Sequence, residues 1–175
     1  PWFSPAGSRR GLITNAKNVG YLDDEGEFRP ALLNAAQRDT LVLNGINAIG
    51  LVQNRGLVVQ TQRTRAANST ALDRVNVARL VNYLRTGLSQ ITIPFVHEQH
   101  DAQTRDSARI TVERFLAGVA GLRGIDDFAV LCSEDNNTED RVARNELWID
   151  VAIKPVKAVE FIYIPVRIVD RSIED

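Results

Sequence analysis

Two histidines three residues apart, His97 and His100 in "HEQH", are the first residues whose type and spacing suggest chemistry. On a helix that spacing would bring both imidazoles to one face and begin a zinc site. The pattern stops there. It is not HExxH, Pro94 just upstream favours a loop, and with no other histidine in the chain a third ligand would have to be a carboxylate. The acidic stretch "SEDNNTED" is a second candidate. Counted from Asp135, Asn137 and Glu139 fall at the third and fifth positions of a calcium loop, and Glu146 falls at the twelfth. Asp140 occupies the sixth position, where the sharp turn needs glycine, and the residues that follow read as a strand rather than a helix. Neither stretch is expected to hold a metal, and the acidic one suits a solvated loop between two strands.

Other reactive residue types give equally little. Cys132 lies in an apolar run with no histidine near it in sequence, so it reads as a small buried hydrophobe. "GINAIG" lacks the Lys-Ser/Thr of a phosphate loop, and neither it nor "GLRG" has the three-glycine spacing of a dinucleotide turn. The arginines of "DRVNVAR" could bind an anion, but charges at helical spacing read first as a solvated face. No catalytic residue and no cofactor emerges, and an enzyme is not expected. A ligand-binding or catalytic α/β domain with an unrecognised site, and an adaptor that uses an edge strand for one peptide, stay open as alternatives.

Composition narrows the class. At 175 residues, 44% of them apolar, the chain fits one domain with an ample core. A net charge of −1 with both signs interspersed favours neither nucleic acid nor a membrane surface as partner. A single cysteine excludes an internal disulfide, and no apolar run approaches the ~20 residues of a membrane span. Synthesis inside a cell is the simplest expectation.

The elements follow from periodicity. "ALLNAAQRDTLVLNG" reads as a helix with Pro30 in its first turn and Gly45 as its stop. "INAIGLVQ" and "GLVVQTQRT" read as a hairpin around "NRG". Val77, Leu80, Val81, Leu84, Leu88 and Ile91 form one helical stripe, and Val112, Phe115, Leu116, Val119 and Leu122 form another, predicting helices near 74–92 and 104–122. After Gly124 the period changes to alternation, which predicts paired strands over 127–133 and 146–154. The expected class is α/β (α+β): a mixed β-sheet packed with two long amphipathic helices, with extended N- and C-terminal arms.

Both ends read as arms. The opening "PWFSPAGSRRG" combines two prolines that lack backbone donors with the large apolar area of Trp2 and Phe3. With no methionine at Pro1 it reads as a junction with a preceding segment. The closing "VEFIYIPVRIV" puts Ile162, Ile164, Val166 and Ile168 on one strand face and Phe161, Tyr163, Pro165 and Arg167 on the other. Because Pro165 cannot donate to a ladder, this strand should lie at an edge, bulge or cross between sheets.

Taken in order, "PWFSPAGSRRG", "LNGINAI", "TQRT", "LDRVNVARL", "FLAGVAGLRGIDDFAVLCSEDNNT" and "NELWIDVAIKPVKAVEFI" resemble the C-terminal portion of contractile tail sheath proteins of T-even-type myophages. The likeness covers nearly the whole chain and lies in the order and spacing of its pieces. Where the family's helix reads "NVRRL" this chain has "NVARL", with Ala78 in place of an arginine.

The resemblance implies a structural subunit that stacks as hexameric rings around an inner tail tube and shortens to drive the tube through a bacterial envelope. It also implies an N-terminal arm over 1–29, a conserved core over 30–157, a C-terminal arm over 158–175, and larger outer domains upstream. The arm residues would be Val159, Phe161, Ile162, Tyr163, Ile164, Val166 and Ile168, with Pro1, Trp2 and Phe3 at the N-terminal junction. A helix carrying Arg105, Arg109, Glu113 and Arg114 would face the tube. Neighbouring subunits, the tube protein, baseplate and tail terminator proteins are the implied partners, and the virion tail, assembled in the host cytoplasm, the implied place. Type VI secretion and extracellular injection sheaths share the core and stay open as the source device.

Overall fold

The computed structural model describes residues 1–31, 33–66, 70–160 and 162–164. Its first 30 residues contain three short strands: β1 (Leu12–Ile13), β2 (Gly20–Leu22) and β3 (Phe28–Pro30). The polar, glycine-containing "YLDDEGEFRP" thus forms a hairpin. Asp23 closes its turn by accepting the Glu27 amide at 2.8 Å and the Arg29 Nε at 2.7 Å, and Gly26 supplies the positive φ of 82°.

The first helix, α1 (Ala35–Leu43), starts five residues later than Pro30 suggested. Asn34 and Gln37 form a capping box, satisfying two otherwise orphaned amides, and this local bonding overrides the proline signal while Pro30 ends β3. Gly45, at φ 71°, stops the helix as expected. The anticipated hairpin follows as β4 (Ile49–Val52) and β5 (Gly56–Val59), with Asn54 and Gly56 at positive φ in the turn. β1 pairs antiparallel with the far edge of β5, giving the order β1-β5-β4.

Two long helices carry the main core. α2 (Val75–Thr92) and α3 (Ala102–Gly121) bury Leu80, Leu84, Val112, Leu116 and Val119 together with Ile125. Their close crossing uses Gly87, where an added Cβ would lie 2.4 Å from the Phe115 ring. Asp101 caps α3 by accepting the Thr104 amide at 2.7 Å, which holds its own carboxyl below the usual range. At the other end Leu122, counted on the apolar stripe, is exposed, because α3 stops at Gly121 and Arg123 takes φ 63° to turn the chain.

β6 (Ile125–Leu131) lies against α3 and pairs antiparallel with β7 (Asp150–Pro155), Phe128 opposite Ile153 and Val130 opposite Val151. Between them runs a short helix, α4 (Glu139–Ala143). The second strand begins at Asp150 rather than 146. Asn145 has φ 58°, the Asn145 and Glu146 amides close the turn after α4 on Val142 O and Arg141 O, and the Trp148 amide donates to the Asn137 side chain at 2.7 Å rather than to a ladder. The fold is thus mixed α and β as expected, with its described strands divided among three small antiparallel sheets instead of joined in one.

Candidate functional site

The C-terminal segment leaves the fold at Pro155. The Val156 amide still donates to Gly124 O at 3.4 Å, but no strand follows among the described residues. Val159 is exposed, and Ile162, Tyr163 and Ile164 are 78, 87 and 78% exposed. Four large apolar side chains within six residues, none covered by the other described residues, form an apolar stretch of the kind that marks an interaction site. Phe161, Val166 and Ile168, expected beside them, lie outside the described residues, as does Pro165.

Glu160 is the polar tie of this stretch. Its carboxylate accepts Arg74 Nε at 2.5 Å and Arg74 Nη2 at 2.8 Å, a two-pronged contact at the start of α2. The hydrogen bond from the guanidinium to Glu160, joined by the charge of Asp73, holds the Arg74 pKa above its ordinary value. A cleft of about 650 Å³ lies under the segment, walled by Asn76, Val77, Pro155 and Val159.

The N-terminal junction meets its own chain. The Trp2 indole donates to Leu122 O at 3.0 Å, its ring packs edge-on against Tyr83 at 5.5 Å, and Gly124 gives it room, since a Cβ there would lie 3.0 Å from Trp2 Cδ2. Phe3 is exposed beneath the Arg10 guanidinium, 4.4 Å from its ring centre, and Pro1 is exposed.

On α3, the four charges considered for a tube-facing side are placed differently from one another. Arg105 is buried, 9% exposed, and donates to Glu134 at 3.0 Å. Arg109 bridges Asp106 at 3.3 Å and Glu113 at 2.9 Å, with Glu113 the main cause of its raised pKa. Arg114 is exposed.

Residues first weighed for metal chemistry have structural roles. His97 occupies a turn at φ 74°, and His100 is held through Nε2 to Glu146 O at 3.0 Å. Both line a cleft of about 1000 Å³ with Leu88, Phe95, Leu147 and Val151. Among the described residues no group of three or more His, Cys, Asp or Glu is arranged to hold a metal ion. Cys132 is buried, and that burial pushes its thiol pKa up against the pull of Arg105 and Arg109.

The "SEDNNTED" loop, expected to be solvated, is instead a knot around two buried asparagines. Asn136 Nδ2 donates to Leu131 O at 2.9 Å and to Asp150 Oδ2 at 2.9 Å, while Asn137 both donates to Trp148 O at 3.0 Å and accepts the Trp148 amide. Arg141 stacks on Trp148, 3.9 Å from the ring centre, and donates to Asn136 O. A pair of asparagines just after an apolar strand is the only sequence signal that could have indicated this, because an amide side chain can replace a ladder on both sides at once.

Among the described residues these features assemble no catalytic group; they give a packed core from which an exposed apolar C-terminal stretch departs. Comparison with known proteins gives the family. Curated tail sheath proteins of Vibrio phage KVP40, Enterobacteria phage T4 and Salmonella phage ViI are 35, 32 and 29% identical over 92 to 93% of this chain. The chain spans 23 to 24% of their lengths. Among solved structures, the contracted helical sheath of the anti-feeding prophage superposes with a TM-score of 0.79 at 20% identity over 95% of this chain and 45% of that one. The contracted sheath complex of an extracellular contractile injection system, PVC, gives 0.73 at 20% identity, again over 95% of this chain and 45% of its own. The family described as phage tail sheath C-terminal domain matches residues 67–169, more than half of the sequence, and the chain belongs to that family.

Proposed function

We propose that this chain is the inner, lattice-forming part of a contractile tail sheath subunit, a structural and non-enzymatic role. In this reading residues 30–157 form the core, residues 1–29 join it through β1 and Trp2, residues 158–175 act as the linking segment, and larger outer domains precede them in the subunit. Subunits stack as hexameric rings around an inner tail tube in the virion tail. Contraction drives the tube through the bacterial envelope for genome ejection, with the baseplate and a tail terminator bounding the polymer. The sequence relatives are phage proteins, which favours a phage tail over a secretion or injection device.

The observation that carries the reading is the exposure of Val159, Ile162, Tyr163 and Ile164. From about Val159 to Val169 the segment adds as a strand to a sheet of a neighbouring subunit, where main-chain bonds give affinity and alternate side chains set register. The two-stranded β6–β7 sheet, which no third described strand joins, is the natural acceptor. About five ladder bonds at ~0.5–1.5 kcal/mol each and three or four buried aliphatics at ~1.5–3 kcal/mol each leave on the order of 5 kcal/mol per arm after ordering costs. Repeated along a polymer, that suffices to hold it.

Deleting residues 164–175 tests this. The expected product is a folded, soluble subunit that no longer forms tubes in negative-stain images. A truncated protein that unfolds would assign the segment to its own core instead. Contact with the tube, if made by α3, rests on exposed Arg114 and partly exposed Arg109, because Arg105 is buried. Reversing the charges of Arg109 and Arg114 should then impair tube-dependent assembly, and unchanged assembly removes α3 from that role.

A further inference from the structure

The two end segments meet at the first turn of α2. Buried Asn76 donates through Nδ2 to the Trp2 carbonyl at 3.3 Å, and two residues earlier Arg74 grips Glu160. The same turn is tied to the strand-like residues after β5 by Thr64 N to Asp73 O and Val75 N to Gln62 O, both 2.9 Å. The charges there alternate in a row. Arg63 Nη1 lies 3.2 Å from Asp73 Oδ2, and that oxygen lies 2.8 Å from Arg74 Nη1. The latter contact is electrostatic rather than aligned as a hydrogen bond, so Nη1 is buried without a hydrogen-bond acceptor among the described residues, and the hydrogen-bonding fork of Arg74, Nε and Nη2, is committed to Glu160.

We propose that Arg74 and Glu160 form a clasp that fixes where the C-terminal segment leaves the subunit, so that Ile162–Ile164 is presented in one direction before a neighbour binds it. The inference rests on the arm reading above. Among the described residues after Val156 there is no ladder, and the Glu160 side chain is the tie nearest the exposed run. Holding the exit point removes part of the ordering cost that a freely swinging arm would meet on docking. The carboxylate also sits at the start of α2, where negative charge is favoured. Arg74 and Glu160 side chains remain 22 and 30% exposed, so the clasp is strong in geometry yet open to water, suited to a contact that must let go when subunits reorient.

Trypsin cleavage after exposed Lys157, followed by mass spectrometry on the unassembled chain, reads the clasp directly, because cleavage tracks the population of the released segment. Glu160→Ala should speed cleavage about threefold to tenfold, Arg74→Ala by a similar factor, and the double variant no further. Arg74→Lys, which keeps the charge but loses the fork, should fall between. An unchanged rate in Glu160→Ala, or additive effects in the double variant, overturns the clasp. Glu160→Ala should also raise the protein concentration needed for tube formation about threefold or more. Faster cleavage with unaltered assembly would overturn its presenting role while the truncation at residue 164 still judged the arm. Assembly that survives that truncation would instead overturn the arm reading, whatever the cleavage rates.

Discussion

Trp2 and Tyr163 are both large aromatics near an end of the chain, and they meet opposite fates. Trp2 is half-buried against Tyr83 and Gly124 with its indole N–H on a carbonyl of the chain turn after α3. Tyr163 is exposed between two exposed isoleucines, past the point where β7 has ended. Side-chain chemistry favours covering each, since both carry apolar area that water disfavours. It does not say by which molecule. Trp2 has its partner among the described residues and is anchored there, whereas Tyr163 has none among them; the arm reading proposed above gives it a neighbouring subunit.

The comparison is sharpened most by substitutions in the core. Leu116→Ala, at a fully buried position between α2, α3 and the β6–β7 sheet, should cost about 3 kcal/mol in urea unfolding. Trp2→Ala should cost about 2 kcal/mol, because it deletes a half-buried ring together with its aromatic partner contact and hydrogen bond. A cost near zero would break the contrast, making the first residues as detachable as the last. Gly124→Ala reaches the same contact from below: its Cβ would lie 2.7 Å from Val119 Cγ1 and 3.0 Å from Trp2, so a loss of roughly 1 kcal/mol and a changed tryptophan emission are expected. By contrast, serine at both 162 and 163 should leave subunit stability within about 0.5 kcal/mol while abolishing tube formation. Measurable destabilisation there would mean the segment already packs on its own core.

The sequence made the anchored parts legible and the contextual ones obscure. Helical stripes such as Leu80, Leu84, Leu116 and Val119 announce themselves because burial repeats with the helix period, and the β4–β5 turn is marked by Asn54 and Gly56. The late start of β7 was not legible. Leu147 and Ile149 continue its alternation, yet the backbone there bonds to Asn137, eleven residues from Trp148, a choice that alternation does not encode. Nor was the burial of Arg105, whose charge at a helical position suggested solvent until the residues after β6 brought Glu134 over it. The apolar face at Ile162 and Ile164 was visible from spacing, and its exposure became visible only once every potential cover in the described chain had been placed elsewhere.

The smallest effect compares the chain's two tryptophans by pH. The Trp2 indole donates to a backbone carbonyl, which does not titrate, whereas the Trp148 indole donates to Glu146 Oε2 at 3.0 Å. Hydrogen bonds from Arg144 first, and from Trp148 second, lower the Glu146 pKa from 4.5 to about 2. Because the folded value is the depressed one, these contacts favour the folded state fully above pH 4.5, and the benefit fades as pH falls toward 2. The Trp148 indole N–H resonance should therefore shift with a midpoint near 2, while that of Trp2 stays constant until the protein unfolds. Arg144→Gln should move the Trp148 midpoint up toward the ordinary carboxylate range by removing the larger of the two hydrogen-bonding causes. A wild-type midpoint at 4.5 would show that the Arg144–Glu146–Trp148 bridge does not persist in solution, and that the knot around Asn136 and Asn137 holds its loop without it.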